Sequence, residues 1–494
     1  MCPGNTFRCV YRRSRRDSMK KKKKDTAVNA ASRANVKLNP QNNVKLAAPL
    51  KAVLTPFEHF IKAETSSGTV LLSATILALL WANLFPKSYL GFWNTWASII
   101  IGPLRLDHTF AEWVNDGLMS VFFLQVGLEL KREIRVGDLS TFGQAILPVV
   151  AAAGGMLVPA LFFTICAYGS PYSHGWGIPM ATDIAFALGV MTMLGRRVPT
   201  SLKVFLTALA VADDLGAVIV IALFYSGNLN VTAILAALIV FSVLILFNRL
   251  GVRILTIYSI GGVFLWMCIL KSGIHASLAG VLLAISIPTW TSIDKDRLRH
   301  ALATAEHALG HRKYTEEGAL GDKHLRGYIE LANISSNKAM PPLVIMERTI
   351  STFVSFIIMP VFALANSGVI VHQLDFGAFI ADPVTHGIAC GLILGKPIGI
   401  VLGTFITIKL GLAKVPRLAS WSQLAGVGIL GGIGFTMSLF VSNLALGNGA
   451  HLEVAKLAIL CSSATAGILG FIWLYLHPQS SSDESSAKDI AQES

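Results

Sequence analysis

From residue 69 to residue 476 the chain alternates apolar blocks of about twenty residues with short polar stretches, the length a helix needs to cross the hydrocarbon core. The blocks predict helices at 69–86, 109–133, 144–168, 177–195, 201–226, 231–249, 255–271, 273–290, 349–371, 385–409, 419–446 and 451–476. The expected fold class is therefore an all-α polytopic membrane protein with about 12 transmembrane helices. Residues 65–477 form the membrane domain, with an extended cytoplasmic loop at 291–348. Residues 1–64 are expected to be a disordered basic cytoplasmic tail, and 478–494 a polar cytoplasmic one.

Composition narrows the class. The 494 residues are 53% hydrophobic and 14% charged, with mean hydropathy +0.61. Soluble domains carry about 25% charged residues, so a soluble multidomain enzyme is excluded. A net charge of +13 would suggest nucleic acid as a partner in a soluble protein. Here the cations gather in alternate connections: Lys131, Arg132 and Arg135; Arg196, Arg197 and Lys203; Arg249 and Arg253; the 291–348 loop; Lys409, Lys414 and Arg417. No nucleic-acid partner is expected. The positive-inside rule places both termini in the cytoplasm.

Residues 1–64 hold 15 Lys or Arg against four acids, including Lys20 to Lys24, and are expected to lie on anionic lipid. They contain no apolar run of signal-peptide length, so the first span is expected to direct insertion. Met19, directly before the lysine run, is an alternative start. The six cysteines form no CxxC pair and suggest neither a zinc nor a redox site. Between Thr291 and Pro341 the loop carries eight Lys or Arg and seven acids, with a helical stretch expected around 295–334.

Ionisable side chains inside a bilayer are costly and mark ion paths or relays. Asp213 and Asp214 fall at the centre of 201–226, Lys396 at the centre of 385–409, and Asp183 near the middle of 177–195. One lysine cannot neutralise three carboxylates at midplane depth. Such acids titrate as a coupled set, and a carboxylate is a hard oxygen ligand suited to a cation such as Na+. A site that binds either a cation or protons is the minimum machinery for exchange. Successive helical residues point about 100° apart, so the two adjacent acids are expected to have unequal roles. Gly177 and Pro179 precede Asp183, and Gly431, Gly432 and Gly434 interrupt 419–446. At membrane depth such interruptions either line a cavity or pack helices closely. Opened helix ends expose half-charges that Asp183 and Lys396 are suited to balance.

These residues carry a resemblance. Ala181 to Val190, Asp213-Asp214-Leu215-Gly216-Ala217, Gly395-Lys396-Pro397 and Gly431 to Ser438 look like the signature segments of NhaA-type sodium/proton antiporters. So do Asn115 to Met119, Gly127 to Glu133, Ser272 to Ala276 and Phe362 to Asn366. The motifs occur in the family's order across 69–476.

The resemblance implies inverted-topology repeats at 144–226 and 385–476, with two discontinuous crossing helices, 177–195 and 419–446. It implies that Asp213 and Asp214 bind Na+ or Li+ and protons, with Thr182 and Asp183 nearby. It makes Lys396 and Asp183 charge-compensating, with Lys396 pairing Asp213 when no cation is bound. It also implies electrogenic exchange, activation at alkaline pH through Glu129, Arg132, Glu133, Glu347 and His275, and a multi-pass location in the bacterial cell inner membrane. Ala97 to Asp107, turning near Gly102-Pro103, resembles the periplasmic hairpin through which family members form homodimers. No cofactor is expected; Na+, Li+ and protons are substrates, and the lipid bilayer is the surrounding partner. The N-terminal tail and the 291–348 loop exceed the family pattern.

Rival classes leave different marks. An intramembrane aspartyl protease places its acids on separate helices, one within GxGD, which this chain lacks. HExxH and Walker A motifs are likewise missing. A sodium-coupled solute symporter on a related fold is the alternative, and it would need a roomy polar cavity. A passive channel would show no proton coupling.

Overall fold

The computed structural model describes residues 66–478 apart from 102–103, 138, 228, most of 292–338, 374, 417–418 and 448. The N-terminal tail, nearly all of the helical stretch expected at 295–334 and the chain after 478 lie outside the described residues.

Helices α1 (Ser66–Leu84) and α2 (Pro86–Trp93) lead into strands β1 (Trp96–Ile101) and β2 (Leu104–Thr109). The strands pair antiparallel, Trp96 opposite Thr109 through Ile101 opposite Leu104, which is the hairpin expected from Ala97 to Asp107. A π-helical turn, Trp113–Leu118, opens α3 (Met119–Val136). Then come α4 (Phe142–Cys166), α5 (Ile184–Met193), α6 (Thr200–Phe224), α7 (Val231–Arg249), α8 (Leu255–Leu270) and α9 (Leu278–Ser286). After the loop, α10 (Pro342–Phe353) runs through π-helical Val354–Ile358 into α11 (Met359–Asn366). In the same way α12 (Pro383–Ala389) runs through π-helical Cys390–Gly395 into α13 (Lys396–Lys409). The last helices are α14 (Trp421–Gly431), α15 (Phe435–Leu446) and α16 (Ala450–Leu476).

Among the described residues, seven helical stretches are long and apolar enough to cross a membrane. The pair α14 and α15, bent by 43°, makes an eighth. The chain is thus an all-α polytopic membrane protein with discontinuous helices, one hairpin apart. Four of the twelve expected spans fall short for local reasons. Helix α3 ends in Glu129, Lys131, Arg132, Glu133 and Arg135, too many charges for an apolar window. Helix α8 is apolar but has 16 residues. The stretch 177–195 becomes α-helical only at Ile184. The stretch 273–290 becomes so only at Leu278, because Gly273 adopts φ +81° and the Ser277 backbone N–H and hydroxyl bond His275 Nδ1 instead of continuing a helix.

Leu77 and Leu80 of α1, Leu238 and Ile239 of α7 and Ile468 of α16 are exposed. In water so large an apolar band would aggregate; against lipid tails it costs nothing, and helices there associate through small residues and close backbone approach. The pairing of α4 with α13 shows this. A Cβ on Gly399 would sit 2.2 Å from the Gly154 carbonyl oxygen, so the backbones touch and any larger residue would push them apart. That contact fixes Lys396, the first residue of α13, inside the bundle. Elsewhere Lys131 reaches from α3 to the end of α9, donating to the carbonyls of Ile285 (2.6 Å), Ile287 (2.5 Å) and Ala284 (3.2 Å). Its charge satisfies acceptors that a helix C-terminus leaves unpaired.

Candidate functional site

Two interrupted segments meet at the centre of the bundle. Pro179 lacks a backbone N–H and disfavours helix in the residue before it, and the chain from Ala181 to Asp183 is extended before α5 begins. Opposite it, α14 stops at Gly431 and α15 starts at Phe435. A Cβ on Gly432 would lie 2.3 Å from the Leu392 carbonyl oxygen, so this approach requires glycine. The breaks bond to each other. Asp183 N–H donates to the Ile433 carbonyl at 2.6 Å, and the Thr182 hydroxyl to that of Gly431 at 2.8 Å.

The charges sit on the ends these breaks expose. Asp183 Oδ1 accepts from Phe186 N–H at 3.2 Å, capping α5. Its Oδ2 accepts from Thr436 N–H at 3.2 Å and the Thr436 hydroxyl at 2.5 Å, in the first turn of α15. One carboxylate thereby meets the positive ends of two helices. Lys396 donates to Asp213 Oδ2 at 2.5 Å and to the Thr182 hydroxyl at 3.0 Å. Through Thr182 it faces the Gly431 carbonyl, where α14 ends. Thr182, Asp183, Asp213, Asp214 and Lys396 are all buried.

Asp214 differs from its neighbour. Among the described residues, neither of its carboxylate oxygens has a hydrogen-bond partner. It lines a cavity of about 180 Å³ together with Gln125, Glu129, Asp183 and Thr436. The adjacent acids thus have unlike surroundings: Asp213 is tied to an ammonium, and Asp214 opens onto free space.

A second polar cavity, of about 610 Å³, is lined by Asp116, His275, Asn366, Asn443, Glu453 and Lys456. Helix α15 gives Met437 to the first cavity and Phe440 and Asn443 to the second; α11 gives Met359 to the first and Asn366 to the second, with Phe362 between them in sequence. Phe440 packs on Phe123 and Phe362, with ring centroids 5.5 and 6.3 Å apart, and all three are fully buried. On the second cavity's side, Asn366 Nδ2 donates to Asn115 Oδ1 at 2.9 Å and Asn443 Nδ2 to Asn366 Oδ1 at 2.8 Å.

The remaining expected residues divide. Arg132 bridges Glu133 Oε1 at 2.9 Å and Glu347 Oε1 at 3.0 Å, so three of the four members of the charge cluster form one ion-pair network. Glu129 lines the Asp214 cavity instead. His275 lies in the turn before α9 rather than within an apolar helix, with Nε2 3.5 Å from Asp116 Oδ1 and its ring edge-on to Phe440. Gly434, at the start of α15, packs against Leu392 and the Ala181 carbonyl. Asp116, Asn443 and Gln125 belong to the two cavities and were not singled out in the sequence for any role. The available signal was polar residues within apolar stretches: the pairs Asn115-Asp116 and Ser442-Asn443, and the single Gln125.

Comparison with known proteins agrees with this architecture. Residues 58–474 match the family model described as Na+/H+ antiporter 1. The chain is 44% identical over 430 residues to the Na(+)/H(+) antiporter NhaA of Oleidesulfovibrio alaskensis, covering 86% of this chain and 94% of that protein. It is 47% identical over 422 residues to Na(+)/H(+) antiporter NhaA 2 of Syntrophotalea carbinolica, covering 84% and 95%. It is 45% identical over 429 residues to the NhaA of Helicobacter pylori, covering 86% and 96%. With a family match across most of its length and relatives this similar end to end, the chain belongs to the NhaA-type Na+/H+ antiporter family.

Proposed function

We propose that the protein is an electrogenic Na+(Li+)/H+ antiporter that exports sodium in exchange for protons, the cation and protons competing for Asp213 and Asp214 under alternating access. Membership of a transporter family sets the intramembrane-protease alternative aside. The observation that carries the reading is Asp214: a buried carboxylate, without a hydrogen-bond partner, opening onto a polar cavity beside an acid that a lysine already holds.

A cation entering that cavity meets Asp214 first. Full coordination recruits Asp213, which Lys396 must then release while it keeps its hydrogen bond to Thr182. Protons arriving from the other side neutralise both acids and eject the cation. Moving more protons inward than Na+ outward in each cycle transfers net charge, which makes exchange electrogenic. Asp183 stays on its two helix ends and keeps the crossing electrostatically balanced while the occupant changes. A solute symporter would need more room beside the acids than about 180 Å³.

The finer architecture belongs to the same reading: twelve spans, inverted repeats at 144–226 and 385–476 crossing through the two breaks, and membrane domain 65–477 between tails 1–64 and 478–494. Both termini lie in the cytoplasm and the protein resides in the bacterial inner membrane. The hairpin mediates a homodimer, and Glu129, Arg132, Glu133, Glu347 and His275 serve activation at alkaline pH.

The test uses proteoliposomes loaded with a pH dye and held acid inside. External Na+ and Li+, but not K+, should make the lumen alkaline, and Asp214→Asn should abolish the response. A folded wild type silent at every pH from about 6.5 to 9, on either side of neutral, would refute antiport. A normally active Asp214→Asn would refute the site.

A further inference from the structure

Gln125 lines the cavity that leads to Asp214, four residues before Glu129 on α3, so the two lie one turn apart on the same face. Its Oε1 is buried and accepts no hydrogen bond among the described residues. The helix around it is apolar, from Val121 through Leu124 to Val126 and Leu128. Burying an unsatisfied amide there is costly, and Leu or Met would fill the space without that cost. Packing therefore gives no reason for an amide at this position.

Ion chemistry does. A cation that moves from Glu129 to Asp214 must lose water before a buried carboxylate can bind it. An amide oxygen is a neutral hard ligand, the kind that oxygen-seeking cations accept in place of water. Set between two carboxylates, it replaces a hydration oxygen without adding a negative charge that would trap the ion. Ser67 and Ser355 line the same cavity and supply further neutral oxygens. Ser355 lies in the π-helical turn Val354–Ile358, and such turns recur at functional sites.

We propose that Gln125 is a specificity-determining residue of the exchange reaction: its Oε1 takes over part of the hydration shell of Na+ or Li+ on the path between Glu129 and Asp214. This rests on the antiport reading, and the test separates the two. Apparent KM and Vmax for Na+ and for Li+ are measured in proteoliposomes for wild type, Gln125→Leu, Gln125→Met and Gln125→Asn. Losing one neutral ligand should raise the Na+ KM about threefold to tenfold in Gln125→Leu, with Vmax held within about twofold. The ratio of Na+ to Li+ KM should move by twofold or more, since the two ions differ in how tightly they hold water. Gln125→Asn, which keeps the amide, should recover part of the loss. Gln125→Met gives the same reading as Gln125→Leu if the latter fails to fold. An active wild type beside Gln125→Leu and Gln125→Met variants with unchanged KM values and an unchanged ratio would overturn this inference alone. Loss of Vmax at constant KM would also overturn it, because it would mark a structural role. A wild type without sodium-driven proton movement would overturn antiport and this inference together.

Discussion

The Lys396 ammonium lies 2.5 Å from Asp213 Oδ2, both groups inaccessible to solvent, while the carboxylate one residue later has no such partner. Two identical side chains in sequence therefore sit in different electrostatic surroundings. The difference arises because α13, pressed on α4 at Gly154 and Gly399, aims the charge of Lys396 at one of them.

Removing one member of a buried pair costs about 3–5 kcal/mol, chiefly because the other charge stays unpaired. Lys396→Ala should lower the melting temperature of the detergent-solubilised protein. The double variant Lys396→Ala/Asp213→Asn should recover part of that loss, since position 213 then carries no unpaired charge. A double variant whose loss equals the sum of the losses in Lys396→Ala and Asp213→Asn alone would show that the pair contributes no coupling energy.

Asp183 is bound from two helix N-termini at once, so charge and hydrogen bonding can be separated by substitution. Asp183→Asn keeps an acceptor oxygen and should fold with a modest loss, about 0.3–2 kcal/mol, from the missing charge at the helix ends. Asp183→Ala removes two caps, each worth about 0.5–2 kcal/mol, and should be the less stable by thermal melt. The reverse order would mean that Asp183 does not act as a cap.

The sequence made the charged centre legible because ionisable residues in apolar blocks have few explanations. Asp183, Asp213, Asp214 and Lys396 stand out for that reason, and the glycines at 431, 432 and 434 mark where backbone opens. Geometry specific to the fold was hidden. Lys131 reads as one of a row of topological cations, yet it caps α9. His275 reads as a lone histidine in a helix, yet Asp116 faces it from an element about 160 residues away in sequence. Periodicity also cannot distinguish a broken span from a whole one, so 177–195 reads as helix although α5 begins only at Ile184, after a 3-10 turn ending at Gly177, turns at 178–180 and non-helical chain at 181–183. Gln125 is legible only as a single amide in an apolar run.

Competition at a shared site has a sign that can be read directly. A protonated carboxyl cannot coordinate Na+, so the apparent KM for Na+ should rise as pH falls, about tenfold per pH unit for each competing proton. Measured between about pH 6.5 and 8.5 in proteoliposomes, a slope steeper than tenfold per unit would indicate that both acids of the coupled pair take part. A flat KM with a falling Vmax would instead place protons and cation on separate sites.

Phe440 lines the second cavity, and Phe123 and Phe362, which line neither, pack against it; exchange without leak needs a closed barrier between the cavities whenever the site is open on either side. Aromatic packing keeps water chains out, and the Asn115, Asn366 and Asn443 amides tie the same helices together on one flank. Phe440→Ala would leave a void at the centre of the barrier, at a cost of about 3–5 kcal/mol. Phe440→Leu keeps most of the volume and is the safer variant. Both should admit protons: vesicles held acid inside, with no Na+ or Li+ present, should lose their pH difference faster than wild-type vesicles, Phe440→Ala more than Phe440→Leu. Coupling should fall in the same order, since each proton that leaks carries no cation in exchange. If folded Phe440→Ala holds a gradient as well as wild type does, the three rings are packing and the seal lies elsewhere.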